Sequence, residues 1–215
     1  WRASRYFRYG VRFLAGVALS QLFFRIDRLV LAQMLPAHDF GIYGTAMQLV
    51  DVWLHMVHVI GFSIGPAYLY AALSRTTHPL AHWRTIAVLT GIGLSGLLLA
   101  IVFGKPAIAL IFGPKFGGSY AYLIAGTAFA VLAFIDSFAS TSVTATRRPG
   151  ALALKWGTSA VVAATTQIIL FPSLHGFAGP VGLATGIVMG WVVLIMLPSN
   201  NNRSVGAAPT QGAQA

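Results

Sequence analysis

"FFRIDRLVLAQML", residues 23–35, sets Arg25, Asp27 and Arg28 inside a run that otherwise reads as a membrane helix. On a helical wheel advancing about 100° per residue, Gln21, Arg25 and Arg28 share one stripe. Asp27 falls on another face, among Phe23, Phe24 and Leu31. Residues one or two apart on a helix do not face each other, so Asp27 has no partner among the arginines of its own helix. It requires a group from a neighbouring helix or a water-filled cavity. Insertion scales charge roughly 2.5–3.5 kcal/mol for each such residue at a helix centre. Snorkelling toward the headgroups relieves long arginine stems, but the aspartate is too short for it. A polar interior accounts for all three charges.

The rest of the chain explains why these charges stand out. Its 215 residues are 57% hydrophobic and 8% charged, where a soluble domain carries about 25% charged residues. Glutamate is absent, and the acids are Asp27, Asp39, Asp51 and Asp136. Such a composition cannot coat a water-soluble globule, so the bilayer is the expected solvent. The net charge of +10 does not point to nucleic acid, because the basic residues sit at the ends of apolar runs and form no single patch. Cysteine is absent, which excludes disulfides and thiolate metal sites. The chain begins at Trp1, and its first apolar run is too long for a signal-peptide core. It reads as a fragment or as part of a larger protein.

Roughly 20 apolar residues cross a hydrocarbon core. Six segments qualify: 10–35, 42–66, 85–104, 119–145, 151–171 and 177–197. The expected fold is all-α, a polytopic six-transmembrane-helix bundle over residues 1–198. Pro36, Pro66, Pro79, Gly104-Lys105-Pro106, Pro149-Gly150 and Pro172 separate the spans. Residues 199–215 read as a disordered tail, in which Asn202-Arg203-Ser204 matches a glycosylation acceptor only by chance. Arg2, Arg5, Arg8, Arg12, Arg75, Arg84, Arg147, Arg148, Lys155 and Arg203 fall on one side of this arrangement, Lys105 and Lys115 on the other. The positive-inside rule then places both termini in the cytoplasm.

The second span carries Gln48, Asp51, His55 and His58 at spacings of three, four and three, which makes one polar face. Three readings fit it. One is a hydrogen-bond ladder between helices. Another is a hydrated substrate or proton pathway. The third, a metal site at Asp51, His55 and His58, lacks a partner motif, and no metal is expected. The fourth span carries Asp136, a candidate partner for Arg25 or Arg28, with Ser137, Ser140, Thr141, Ser142 and Thr144 after it. Thr165, Thr166 and Gln167 in the fifth read as interhelical contacts. Gly182, Gly186 and Gly190 form two overlapping GxxxG steps in the sixth, mainly for packing within the chain. Gly61, Gly65 and Pro66 suggest a bend or break ending the second span. No phosphate loop, dinucleotide fingerprint, GxSxG or HExxH occurs, so neither a cofactor nor an enzymatic activity is expected.

Four stretches carry a family resemblance: "RIDRLVLAQMLPAHDFGIYGTAMQLVD", "GFSIGPAYLYAAL", "ALIFGPKFGGSYAYLIAG" and "LHGFAGPVGLATGI". Over about residues 8–197 the chain resembles the C-terminal half of the polysaccharide-export flippases. These belong to the multidrug/oligosaccharidyl-lipid/polysaccharide superfamily. The resemblance implies one six-span lobe of a transporter with twelve or more spans, working in the bacterial cytoplasmic (inner) membrane. It implies a missing N-terminal lobe, or a homodimer, as partner. It also implies an undecaprenyl-pyrophosphate-linked oligosaccharide as substrate, moved across the bilayer for surface-polysaccharide assembly. Gln21, Arg25, Arg28 and Gln48 are the candidate substrate-binding residues. Asp27, Asp51, His55, His58 and Asp136 are candidates for ion coupling or interhelical pairing. Two other functions compete: an ion-coupled drug or cation exporter of the same superfamily, and a membrane-embedded polymerase or glycosyltransferase.

Overall fold

The opening stretch is not one helix. α1 (Arg2–Phe23) stops where the arginines begin, and α2 (Ile26–Met34) starts after a two-residue break. At the break the amide of Arg25 donates to the Leu22 carbonyl at 3.0 Å, and that of Arg28 to the Arg25 carbonyl at 3.2 Å. These three-residue steps tighten the backbone and rotate α2 relative to α1. Packing supplies the reason, since neither Gly nor Pro is present. Phe23 and Phe24 both turn onto Trp156, with ring centroids 5.1 and 5.6 Å away. The continuous span expected over 10–35 is therefore corrected: Gln21 lies on α1, Arg28 on α2, and Arg25 in the break that caps α2. Leu35 is extended, with φ −93° and ψ 144°, as a residue before proline prefers. It ends α2 at Pro36.

The computed structural model describes residues 2–74, 79–145 and 149–197. It is all-helical, with no strand among the described residues. α3 (Ala37–Ser74) follows Pro36, then α4 (Pro79–Ile111), α5 (Ser119–Ala145), α6 (Pro149–Leu174) and α7 (Ala178–Met196). Short 3-10 turns at Pro114–Phe116 and His175–Phe177 precede α5 and α7. Three expected breaks are absent, and one of them is at Pro172, which lies inside α6. α3 runs through Gly61, Gly65 and Pro66, and α4 runs through Gly104-Lys105-Pro106. Proline removes a single amide donor. Beyond Pro106 the helix is held by Ile108, which is fully buried. The chain does turn at Gly113, whose φ of 91° favours glycine.

Among the described residues, three segments are long and apolar enough to cross a membrane: Trp83–Ile111, Ser119–Thr141 and Gly150–Met196. The last of these contains two helices, α6 and α7. Their outward faces are apolar, with Leu110 88% and Ile195 83% exposed. Large aliphatic side chains turned outward along several helices suit lipid better than water. The chain is thus a helical membrane protein.

α5 runs through the middle, packed on α3 and α4 along its length and on α7 beyond them. α6 packs along α7 and α1, and the short α2 rests on α6 and α7. The core lies where these meet, at Phe23, Leu31, Tyr43, Met47, Val50, Phe134, Leu183 and Ile187.

Candidate functional site

Among the described residues, two polar clusters interrupt this core. The first joins α2 to α3. Arg25 and Arg28 each donate from Nη1 to the same oxygen, Oδ2 of Asp51, at 2.6 and 2.7 Å. A second bond, from Arg28 Nη2 to the Met47 carbonyl at 3.2 Å, anchors Arg28 to α3. The site is graded in access, with the Arg25 side chain 49% exposed against 18% for Arg28 and 16% for Asp51. One turn further along α3, the ring of His55 lies 2.7 Å through Nδ1 from the Asp51 carbonyl oxygen. Gln21 and Gln48 are exposed. The side chain of His58 lies outside the described residues.

Asp27 points the other way, into the core, where it is fully buried. Tyr43 donates its hydroxyl to Asp27 Oδ2 at 2.5 Å. Asp27 Oδ1 and Arg28 Nε are both buried without a hydrogen-bond partner. Tyr43→Phe leaves both carboxyl oxygens of Asp27 without that donor. It is expected to lower stability by about 1–3 kcal/mol, the cost of an unsatisfied buried polar group. Thermal unfolding in detergent measures this. Tyr120→Phe is the comparison, because it removes a bond to the Ile101 carbonyl from a residue only partly buried.

The second cluster joins α5, α6 and α7. Lys155 Nζ donates to both oxygens of Asp136, at 2.5 and 2.6 Å, and to Ser140 Oγ at 2.6 Å. Trp191 Nε1 donates to Asp136 Oδ1 at 2.7 Å. The ammonium also sits 4.2 Å from the centre of the Trp156 ring, a cation–π distance. Lysine and aspartate are 0% and 2% exposed.

This arrangement corrects two expectations. Asp136 does not face Arg25 or Arg28; it faces α6 and α7, and the arginines face α3. Lys155 is not a loop charge at the membrane edge but a core residue of α6. Sequence reading missed Lys155, Trp191 and Tyr43 as site residues. The signal for Lys155 was its place inside the apolar run 151–171 rather than before it.

Gly182, Gly186 and Gly190 lie on the face of α7 against α6. A methyl group there would meet Gln167 and the Ala163 carbonyl, the Ser159 carbonyl, and Ser159 Oγ, respectively. Gln167 is fully buried with neither amide atom paired, and Thr185 donates to Thr166 Oγ1 at 3.3 Å. Among the described residues no group of three or more His, Cys, Asp or Glu could hold a metal ion. Comparison with protein-family models, curated proteins and solved structures returns no match.

Proposed function

We propose that the chain is one lobe of a transporter that flips an undecaprenyl-pyrophosphate-linked oligosaccharide across the bacterial cytoplasmic membrane, and that it is not an enzyme. One observation carries this reading: two guanidinium groups converge on a single anionic oxygen, in a chain only 8% of whose residues are charged. Arginine forks bind phosphate oxygens with charge-assisted bonds, and low-dielectric surroundings strengthen them. The half-exposed Arg25 gives such a ligand its way in. The family-like stretches support the same substrate class.

In this reading six segments cross the membrane and both termini are cytoplasmic. Removing Lys155 from the loop charges leaves nine basic residues against two, so the sense of the positive-inside argument is unchanged. A second lobe, or a second copy, completes the cavity, and the lobes rock about the site. Ion coupling rests on Asp51 and His55, which lie beside the half-exposed Arg25, whereas Asp136 is buried with Lys155. The arginines argue against an organic-cation exporter, whose site needs acidic and aromatic groups.

The test is export in a host that depends on this transporter. Arg25→Ala/Arg28→Ala is expected to abolish surface-polysaccharide export at an unchanged protein level. Arg25→Lys/Arg28→Lys should restore part of it, because lysine keeps the charge and loses the fork. Normal export from the double alanine variant would rule out the proposed role.

A further inference from the structure

We propose that Asp51 is a built-in occupant of the Arg25–Arg28 site, which a phosphate-bearing ligand must displace in order to bind. The inference rests on the anion-site reading above and adds a latch to it. Both Nη1 donors meet at one oxygen, Oδ2, at 2.6 and 2.7 Å. One anionic oxygen bridging two guanidinium groups is the contact that a phosphate oxygen makes. The carboxylate thus stands where that oxygen would stand.

Charge favours the exchange. Two guanidinium groups touch one carboxylate, Asp51; the other nearby acid, Asp27, bonds Tyr43 and acts on Arg28 only through space. A phosphate or pyrophosphate brings more charge and more acceptor oxygens. The Met47 carbonyl holds Arg28 through Nη2, so that guanidinium keeps its aim when Asp51 leaves. A displaced Asp51 remains close on α3 and repels the incoming anion. Ligand entry therefore breaks the bonds from Arg25 and Arg28 to Asp51, while the Arg28–Met47 bond still holds α2 to α3. α2 packs mainly on α6 and α7, which makes the arginine–Asp51 bonds a principal tie between α2 and α3. Binding and release of the ligand then open and close that tie.

The experiment uses the full chain in detergent micelles, with no other protein present, and inorganic pyrophosphate and farnesyl pyrophosphate as probes. Asp51→Asn keeps the shape and removes the competing charge. Its apparent Kd for pyrophosphate should fall about tenfold, as expected when a self-occupied state no longer reduces the competent fraction. Arg25→Ala/Arg28→Ala should bind neither probe. A measurement on the unaltered protein guards against misfolding of the variant. With four aspartates and no glutamate, the side-chain carboxylate band in the infrared comes from few groups, and it should shift as the probe saturates. A response to both probes assigns the displacement to phosphate alone; a response to the prenylated probe alone makes the ligand a lipid phosphate. Either outcome supports the latch. Equal or weaker binding by Asp51→Asn, with no carboxylate shift in the unaltered protein, overturns the latch and leaves the anion site standing. If neither probe binds the unaltered protein or Asp51→Asn, the anion site fails and the latch with it.

Discussion

Lys155→Ala is expected to destabilise the folded protein by about 3–5 kcal/mol, the cost of leaving a buried charge without its partner. Asp136 is 2% exposed, and after the change its remaining donors are Trp191 and Ser140. Neither brings a positive charge. Lys155→Met/Asp136→Leu removes both charges at similar volume and should recover most of the loss, because an apolar replacement of a buried pair is often neutral or stabilising. Unfolding by denaturing detergent, followed by tryptophan fluorescence, reads both variants. A single variant as stable as the double would show that the pair is not the strut its burial suggests.

Gly186→Val is the second large expected loss. A Cβ at Gly186 would lie 2.6 Å from the Ser159 carbonyl and 2.7 Å from the Phe23 ring. The first contact is backbone and cannot turn away. α7 has to withdraw from α6, which also strips packing from Ile187 and Leu183 in the core. Overpacking a tight site costs about 1–3 kcal/mol; valine, larger than the methyl group already excluded, should reach the top of that range or prevent folding. Gly91→Ala is the control, since nothing lies within 4 Å of its added methyl group and alanine suits a helix interior better than glycine. Folded yield and unfolding midpoint separate the two.

Helix and membrane character were legible in the composition and in the length of the apolar runs. α5 begins and ends at the residues read from the sequence, 119 and 145. The ends of α3 and α4 were not legible, because a proline or glycine that ends a helix in water is tolerated where neighbouring helices hold the segment. The break after Phe23 carried no local signal at all; it comes from two aromatic rings seating on Trp156, a residue more than a hundred positions away. The wheel placed Asp27 away from the arginines, but it had no means of finding Tyr43. It also assumed one straight helix, so it carried Gln21 onto the arginine stripe. Pairing between helices depends on which faces meet in space. That is why Asp51, not Asp136, receives the arginines, and why Lys155 was read as a topology charge.

The order of synthesis gives the Lys155–Asp136 pair a part in entry to the bilayer. Asp136 leaves the ribosome first, and its cation follows nineteen residues later. Each charge alone at a helix centre costs roughly 2.5–3.5 kcal/mol to insert. Joined, they cancel most of their field and present lipid with an apolar exterior. This region is therefore neutral only once both α5 and α6 are in place, although each packs chiefly on other helices. Trp191 can add its indole bond only after α7 has been made.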